Sequence, residues 1–295
     1  MATRGSALAR WQADHVSSLL RSVEPSLDVE LVIVDTAGDR RQDVEIWQLG
    51  GKGVFVKEVQ AAVLDGRADI AVHSAKDLPS RQIGGLALAA VPMRGEVRDA
   101  LVGATLEAIP PGGRVATGSA RRRSQLADRR PDLTFANLRG NIPTRLERAS
   151  EHDAVVIAAV ALERLGRSDA VTELLPTEVM LPQVGQGALA VECREEDDEL
   201  RDVLAGIEHG PSRRAVDAER AFLEELGGDC DLPAGALARV DDDDPARIEI
   251  EGLLASLDGR IVLRCHERGT DAVAAGRAVA TQLLDRAGGR EVLFS

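Results

Sequence analysis

The chain has 295 residues and a formal net charge of −13, with 36 Lys plus Arg against 49 Asp plus Glu, and its aromatic residues are two Trp, four Phe and no Tyr. The acidic balance excludes nucleic acid and anionic membranes as general partners, and so few rings exclude a surface that stacks bases or sugars. No apolar run of about 18 residues occurs, so no membrane-spanning helix is expected, and the N-terminus MATRGSALARWQADH lacks the apolar stretch of a signal peptide, so the protein reads as cytoplasmic.

The length implies about two or three domains with a core large enough to need neither disulfide nor metal. In chain order, Val29 to Asp35 is a β-rich run, Val54 to Leu64 has helical spacing, and Asp69 to Ser74 (DIAVHS) has a buried-strand pattern. Arg114 to Ser119 predicts a strand followed by a polar helix. Leu133 to Leu138 predicts a strand before a helix over Thr144 to Ala149, and Asp153 to Leu162 begins as an apolar strand. This alternation predicts α/β layers with mostly parallel sheets. The segment Val91 to Asp99 (VPMRGEVRD) reads as a hinge or crossover, and Ala188 to Cys193 as a strand after the turn Val184-Gly185-Gln186-Gly187. A chain that leaves one lobe, builds a second and returns makes a cleft, with ligands bound beyond the carboxyl ends of strands.

The last third changes character. Ser212 is the expected cap of a helix that runs to Leu226 and stops at Gly227 and Gly228. Strands are expected over Ala236 to Val240, Arg247 to Ala255 and Arg260 to His266, then a helix over Asp271 to Arg286. That is a small α+β domain with an antiparallel sheet. The run Asp241 to Asp244 reads as a solvated turn. Cys193, Cys230 and Cys265 have no metal-ligand spacing, so neither a metal nor a disulfide framework is expected.

Three constellations can carry chemistry. The only lysines are Lys52, Lys57 and Lys76, against a background of 33 Arg, and compact ammonium groups retained in two short segments point to an anionic pocket. Arg114 to Arg148 holds nine Arg and three acids. Within it, Thr117-Gly118-Ser119-Ala120-Arg121-Arg122 and Leu138-Arg139-Gly140-Asn141, with Arg145 one turn later, are strand-to-helix junctions suited to anions. Carboxylates and phosphates fit equally, while Arg129, Arg130 and Arg148 read as helix-surface charges. His73-Ser74-Ala75-Lys76-Asp77 ends a strand facing that site, where a carboxylate stabilises a cation formed in reaction. Gly50-Gly51-Lys52-Gly53 lacks the spacing of a nucleotide phosphate loop and reads as a glycine-rich lid. Cys230, between Asp229 and Asp231 past a helix end, is in a setting that raises a thiol pKa, yet it can trap a strong electrophile. Cys193 and Cys265 read as inert strand residues.

Seven runs, ATRGSALARWQA, GGKGVFVKE, ADIAVHSAKDLP, TGSARRRSQL, LRGNIPTRL, LPQVGQGALAVECR and AERAFLEELGGDCDLPAGALA, span Ala2 to about Ala238 in order. Together they resemble the porphobilinogen deaminase (hydroxymethylbilane synthase) family. The resemblance implies two periplasmic-binding-protein-like lobes around a cleft plus a small α+β C-terminal domain with a three-stranded antiparallel sheet. The implied boundaries are 1–92 with 188–207 for domain 1, 98–182 for domain 2 and 210–295 for domain 3. It implies a dipyrromethane cofactor thioether-linked to Cys230 and assembled from substrate. The implied reaction is head-to-tail condensation of four porphobilinogen molecules, with loss of ammonia, to hydroxymethylbilane. Asp77 matches the catalytic carboxylate. Arg4, Ser6, Lys76, Thr117, Ser119, Arg121, Arg122, Arg139, Arg145 and Arg164 match binding positions, Gln12 and Ser74 assist, and Lys52 and Phe55 belong to the lid. A monomer is implied.

The sequence departs from the family at Gln48, where some members carry a lid lysine, at Ala116 and Gly118, and at Asp229, and its first strand is short. Two other classes compete. A non-catalytic solute receptor accounts for an Arg-lined cleft but not for Cys230 on a third domain. An anion-sensing regulator needs a partner domain that the sequence does not display.

Overall fold

The computed structural model describes residues 1–36, 56–228 and 232–294. Its strands in chain order are β1 (Ala2–Arg4), β2 (Val32–Val34), β3 (Ile70–Ser74), β4 (Leu86–Ala90), β5 (Asp99–Gly103), β6 (Arg114–Ala116), β7 (Thr134–Ala136), β8 (Ala154–Ala158), β9 (Glu173–Leu174), β10 (Leu189–Arg194), β11 (Ala234–Val240), β12 (Ile248–Ala255) and β13 (Val262–Gly269). They form a five-stranded sheet β2-β1-β3-β10-β4, a second five-stranded sheet β7-β6-β8-β5-β9 and a three-stranded sheet β11-β12-β13.

Strand β3 is a continuous apolar run because it is covered on both sides. Ile70, Ala71 and Val72 are buried, and helix Ala7–Val23 lays Ala13, Val16 and Leu20 onto the same core as Ile70, Val72, Leu189 and Val191. That helix is capped by Ser6, whose Oγ accepts from Ala9 N at 3.3 Å.

The two large sheets are mixed rather than mostly parallel. In the first, β1 runs parallel to β2 and β3, while β10 is antiparallel to β3 and β4. In the second, β6 runs parallel to β7 and β8, while β5 is antiparallel to β8 and β9. Each sheet therefore has one reversed strand, and it is the strand that enters from the other lobe. β5 follows the crossover 91–98 and β10 follows the return past residue 183, so each arrives with its direction set by the neighbouring sheet.

The return turn needs glycine at two positions. Gly185 and Gly187 have φ of 72° and 88°, and a Cβ at Gly187 would lie 2.6 Å from Gly95 O. The two crossovers thus touch backbone to backbone, and Gly95 N donates to Gly187 O at 3.1 Å.

The third sheet is antiparallel throughout, as its sequence pattern requires. Helices Gly210–Glu225 and Ala272–Thr281 pack on it, and Phe222 and Val279 meet over Gly252, where a Cβ would lie 2.6 Å from each. The last predicted helix is two pieces, with a π-helical turn over Gln282–Arg286 after Thr281. The cap of Gly210–Glu225 is His209 rather than Ser212: His209 Nδ1 accepts from Ser212 N, and Ser212 Oγ is engaged by Arg94 N at 2.9 Å. Among the described residues no helix is long and apolar enough to cross a membrane.

Candidate active site

Strand β3 delivers the first half of the site. It ends at Ser74 and passes into a 3₁₀ turn over Ala75–Asp77. Arg4 at the end of β1, Ser6, Gln12, His73, Ser74 and Asp77 line a cleft with roughly 370 Å³ of open space. Gln12 is buried on the inner face of the first helix, and its Nε2 donates to Ser74 Oγ at 2.8 Å, fixing that hydroxyl at the strand end.

The second lobe delivers the basic half. Ser119 caps helix Ala120–Arg129, accepting from Arg122 N, and Thr117 Oγ1 accepts from Ser119 N at 3.2 Å. Both hydroxyls keep a proton to donate. The six-residue helix Ile142–Glu147 starts at Asn141, whose Oδ1 accepts from Thr144 N at 3.0 Å, and Arg145 Nε donates back to Gly140 O at 2.9 Å.

Arg121 and Arg122 are not surface groups. They are 2% and 6% exposed and grip the two oxygens of the fully buried Asp99, Nη2 to Oδ2 and Nη2 to Oδ1, each at 2.7 Å. Their Nη1 atoms donate to Leu181 O and Val156 O. Burial pushes the Asp99 carboxyl up, but the charges of Arg121 and Arg122 and the hydrogen bonds they donate outweigh it and hold it well below the usual carboxylate range. Burial lowers Arg121 in turn, against the opposing charge of Asp99.

Lys76 is half-buried, and its ammonium pKa is lowered to about 8 by burial and then by Arg122, with Asp77 and Asp99 opposing. Arg145 is lowered to about 10, first by burial, then by Arg122, with Asp77 raising and Arg139 lowering it. These mutual effects place Asp77, Lys76, Arg122, Arg139 and Arg145 in one electrostatic cluster at the join of the two lobes. Buried atoms without a hydrogen-bond partner among the described residues include Arg121 Nε, Arg122 Nε and Arg139 Nη1. Orphaned cationic donors of this kind fit a ligand that brings several anionic oxygens.

Arg164 sits apart from that cluster. Its Nη2 donates to Gly187 O at 2.7 Å and its guanidinium lies 5.3 Å from the centroid of Trp11, which stacks on His15. Burial lowers Arg164 to about 10. Lys57 is exposed at the start of helix Lys57–Leu64 and reaches none of these groups. Arg129 donates to Glu178 O and Arg130 to Leu106 O and Ile109 O, so both hold loops, whereas Arg148 makes an exposed pair with Glu151. Cys193 is buried in β10 and Cys265 half-buried in β13, and burial raises both thiols. Lys52, Phe55, Gln48 and Cys230 lie outside the described residues.

Two buried polar residues that join this cluster are absent from the sequence reading. Asp99 looked like the end of a crossover, and Gln186 like part of a glycine turn. Both are fully buried between the lobes, and the one available signal was an acid just after a hinge with unpaired Arg residues downstream.

The chain is similar to known proteins along most of its length. A protein-family profile described as "Porphobilinogen deaminase, dipyromethane cofactor binding domain" matches residues 1–202, and one described as "Porphobilinogen deaminase, C-terminal domain" matches residues 214–285. The chain is 45% identical over 287 residues to a porphobilinogen deaminase of Acidithiobacillus ferrooxidans, covering 96% of this chain and 93% of that one. It is 47% identical over 292 residues to one from Nitratidesulfovibrio vulgaris, covering 96% and 92%. Among solved structures, the Bordetella pertussis BvgS periplasmic VFT2 domain aligns with 66% of this chain and 75% of that one at 22% identity and a TM-score of 0.37.

Proposed function

The chain belongs to the porphobilinogen deaminase family, and we propose that the cleft between its lobes is where porphobilinogen units are joined, with Asp77 as the catalytic carboxylate and Cys230 as the attachment point of the dipyrromethane cofactor. The enzyme is a transferase of tetrapyrrole biosynthesis, and its first matched region is the family's cofactor-binding domain. The observation that carries the assignment of roles is the position of Asp77. It stands at the carboxyl end of β3, in the cleft, coupled electrostatically to Lys76 and Arg145.

The residues fit the cofactor. Its acetate and propionate groups need several cationic donors in a dry setting, and the orphaned Arg121, Arg122 and Arg139 nitrogens supply them. When bound, the dipyrromethane supplies the pyrrole position to which the first substrate is joined. Lys76, Arg139 and Arg145 bind carboxylates, with Arg4, Ser6, Thr117 and Ser119 adding hydrogen bonds. Gln12 orients Ser74. Asp77 accepts from pyrrole N–H groups and stabilises the positive charge that develops as ammonia leaves. Arg164, parked on Trp11, is available to a longer chain.

In this reading the three sheets are three domains, bounded at 1–92 with 188–207, 98–182 and 210–295. The protein works as a cytoplasmic monomer and needs neither nucleic acid, membrane nor metal. The test is incubation with porphobilinogen while ammonia and substrate are followed together. One ammonia released per porphobilinogen consumed is expected; tight binding of substrate without ammonia would favour a receptor and overturn the assignment.

A further inference from the structure

Gln186 lies on the second crossover, fully buried, between the catalytic turn of one lobe and the arginine pair of the other. Both amide protons and the amide oxygen are engaged. The two Nε2 protons go to Val97 O at 2.8 Å and Asp99 Oδ1 at 3.0 Å, and Oε1 accepts from Lys76 Nζ at 3.5 Å. The charges fix the orientation of the amide, since the reverse placement would set the NH₂ against an ammonium and the oxygen against a carboxylate. The backbone is tied as firmly: Gln186 O accepts from Arg94 Nε at 2.8 Å, and Gln183 Nε2 of the same turn donates to Lys76 O at 3.3 Å.

We propose that Gln186 is a positioning residue that holds Lys76 and the Asp99–Arg121–Arg122 cluster in one frame, so that the catalytic turn and the anion grip of the opposite lobe are set by a single amide. The proposal rests on the functional reading above and deepens it. No other side chain among the described residues bonds both Lys76 and Asp99. The amide dipole also carries electrostatic information: its carbonyl end stabilises the charged form of Lys76 while its NH₂ end stabilises charged Asp99. The other charged groups facing Lys76 are Asp77 on its own turn, Asp99 on β5, and Arg121 and Arg122 on helix Ala120–Arg129. Removing the amide leaves the two cations to repel Lys76 with one less counterweight.

The test uses the holoenzyme with Gln186→Met, which keeps the volume and removes every hydrogen bond. Lys76 protonation is read directly from the pH dependence of its acetylation by trace acetic anhydride, followed by peptide mass mapping. With only three lysines in the chain, its peptide is easily separated. The expected result is a Lys76 midpoint lower by roughly 0.5 or more in pH, with KM raised about tenfold and kcat within about threefold of wild type. A folded variant with an unchanged Lys76 midpoint and unchanged KM overturns the proposal. If Gln186→Met does not fold, Gln186→Glu decides: a carboxylate facing the ammonium should raise the midpoint, and a lowered or unmoved one overturns the proposal. Wild-type protein that releases no ammonia from porphobilinogen would defeat the functional reading alone, since the Lys76 titration still decides whether the frame exists.

Discussion

Arg94 and Glu219 form a bidentate ion pair, Nη1 to Oε1 at 2.6 Å and Nη2 to Oε2 at 3.1 Å, that ties the first crossover to the helix packed on the third sheet. Glu219 is fully buried and also accepts from Gly185 N at 2.7 Å and Ala238 N at 2.9 Å, so one carboxylate joins both crossovers to β11. Glu219→Gln removes the charge and turns an NH₂ toward existing donors. Breaking a buried pair from one side costs about 3–5 kcal/mol. Urea unfolding should show a loss of that order, with the spectroscopic signature of the folded state retained at low denaturant.

Asp77→Ala leaves the apolar packing of β3 untouched, because Asp77 is a half-buried residue of the turn after that strand and lines the cleft. Turnover should fall by at least about 100-fold, the usual cost of losing one electrostatic partner of a charged transition state. The thermal midpoint should stay near that of the wild type. Retention of wild-type turnover would remove Asp77 from the mechanism.

Asp99 predicts an acid-sensitive stability. Its folded pKa is depressed, so its contribution is fully present above the unfolded value of about 3.9 and is lost as pH falls through the lower folded value. Asp99→Asn leaves Arg121 and Arg122 buried against a neutral group and should cost about 3–5 kcal/mol at pH 7. The gap between wild type and variant should narrow as the pH is taken from 5 toward 2, which paired urea titrations at each pH will show.

Lys76 predicts a basic limb. Burial, then Arg122, lowers its pKa to about 8, so the ammonium is lost as pH rises through that value. KM for an anionic substrate should rise above about pH 8, and Lys76→Arg, which stays charged, should remove that limb from the kcat/KM profile. For stability the slope with pH has the same sign as that of Asp99, because both groups have lower pKa values folded than unfolded, but here the charged form is a penalty rather than a gain. Below about 8 the folded state holds a destabilised ammonium, and the penalty is relieved as pH rises toward the unfolded value of about 10.4.

Much of the site was legible because its residues lie at strand ends. The run DIAVHS announces β3 by its apolar continuity, and Lys76-Asp77 follow where an α/β lobe exposes its loops. TGSARR and LRGN likewise read as strand-to-helix junctions, and Ser119 and Asn141 cap the helices. The partners of the arginines were not legible. Arg121 and Arg122 read in one dimension as anion-binding groups at a helix start, but nothing there pairs them with Asp99, which only the reversed strand β5 brings to them. Strands β4 and β5 went unread because they flank a crossover that carries charge, one proline and one glycine. The sheet direction was misjudged for the same reason: alternation of strand and helix says nothing about a strand that arrives from another lobe. Ser212 failed as a cap because its hydroxyl is engaged by Arg94 N, which lies far away in sequence.

The proposed function requires a dipyrromethane held by Cys230. Intact mass of freshly purified protein, with peptide mapping across residues 221–238, tests it most directly. An added mass of two linked pyrrole units on the Cys230 peptide is expected, absent in Cys230→Ser. An unmodified Cys230 peptide that stays unmodified after incubation with porphobilinogen would contradict it.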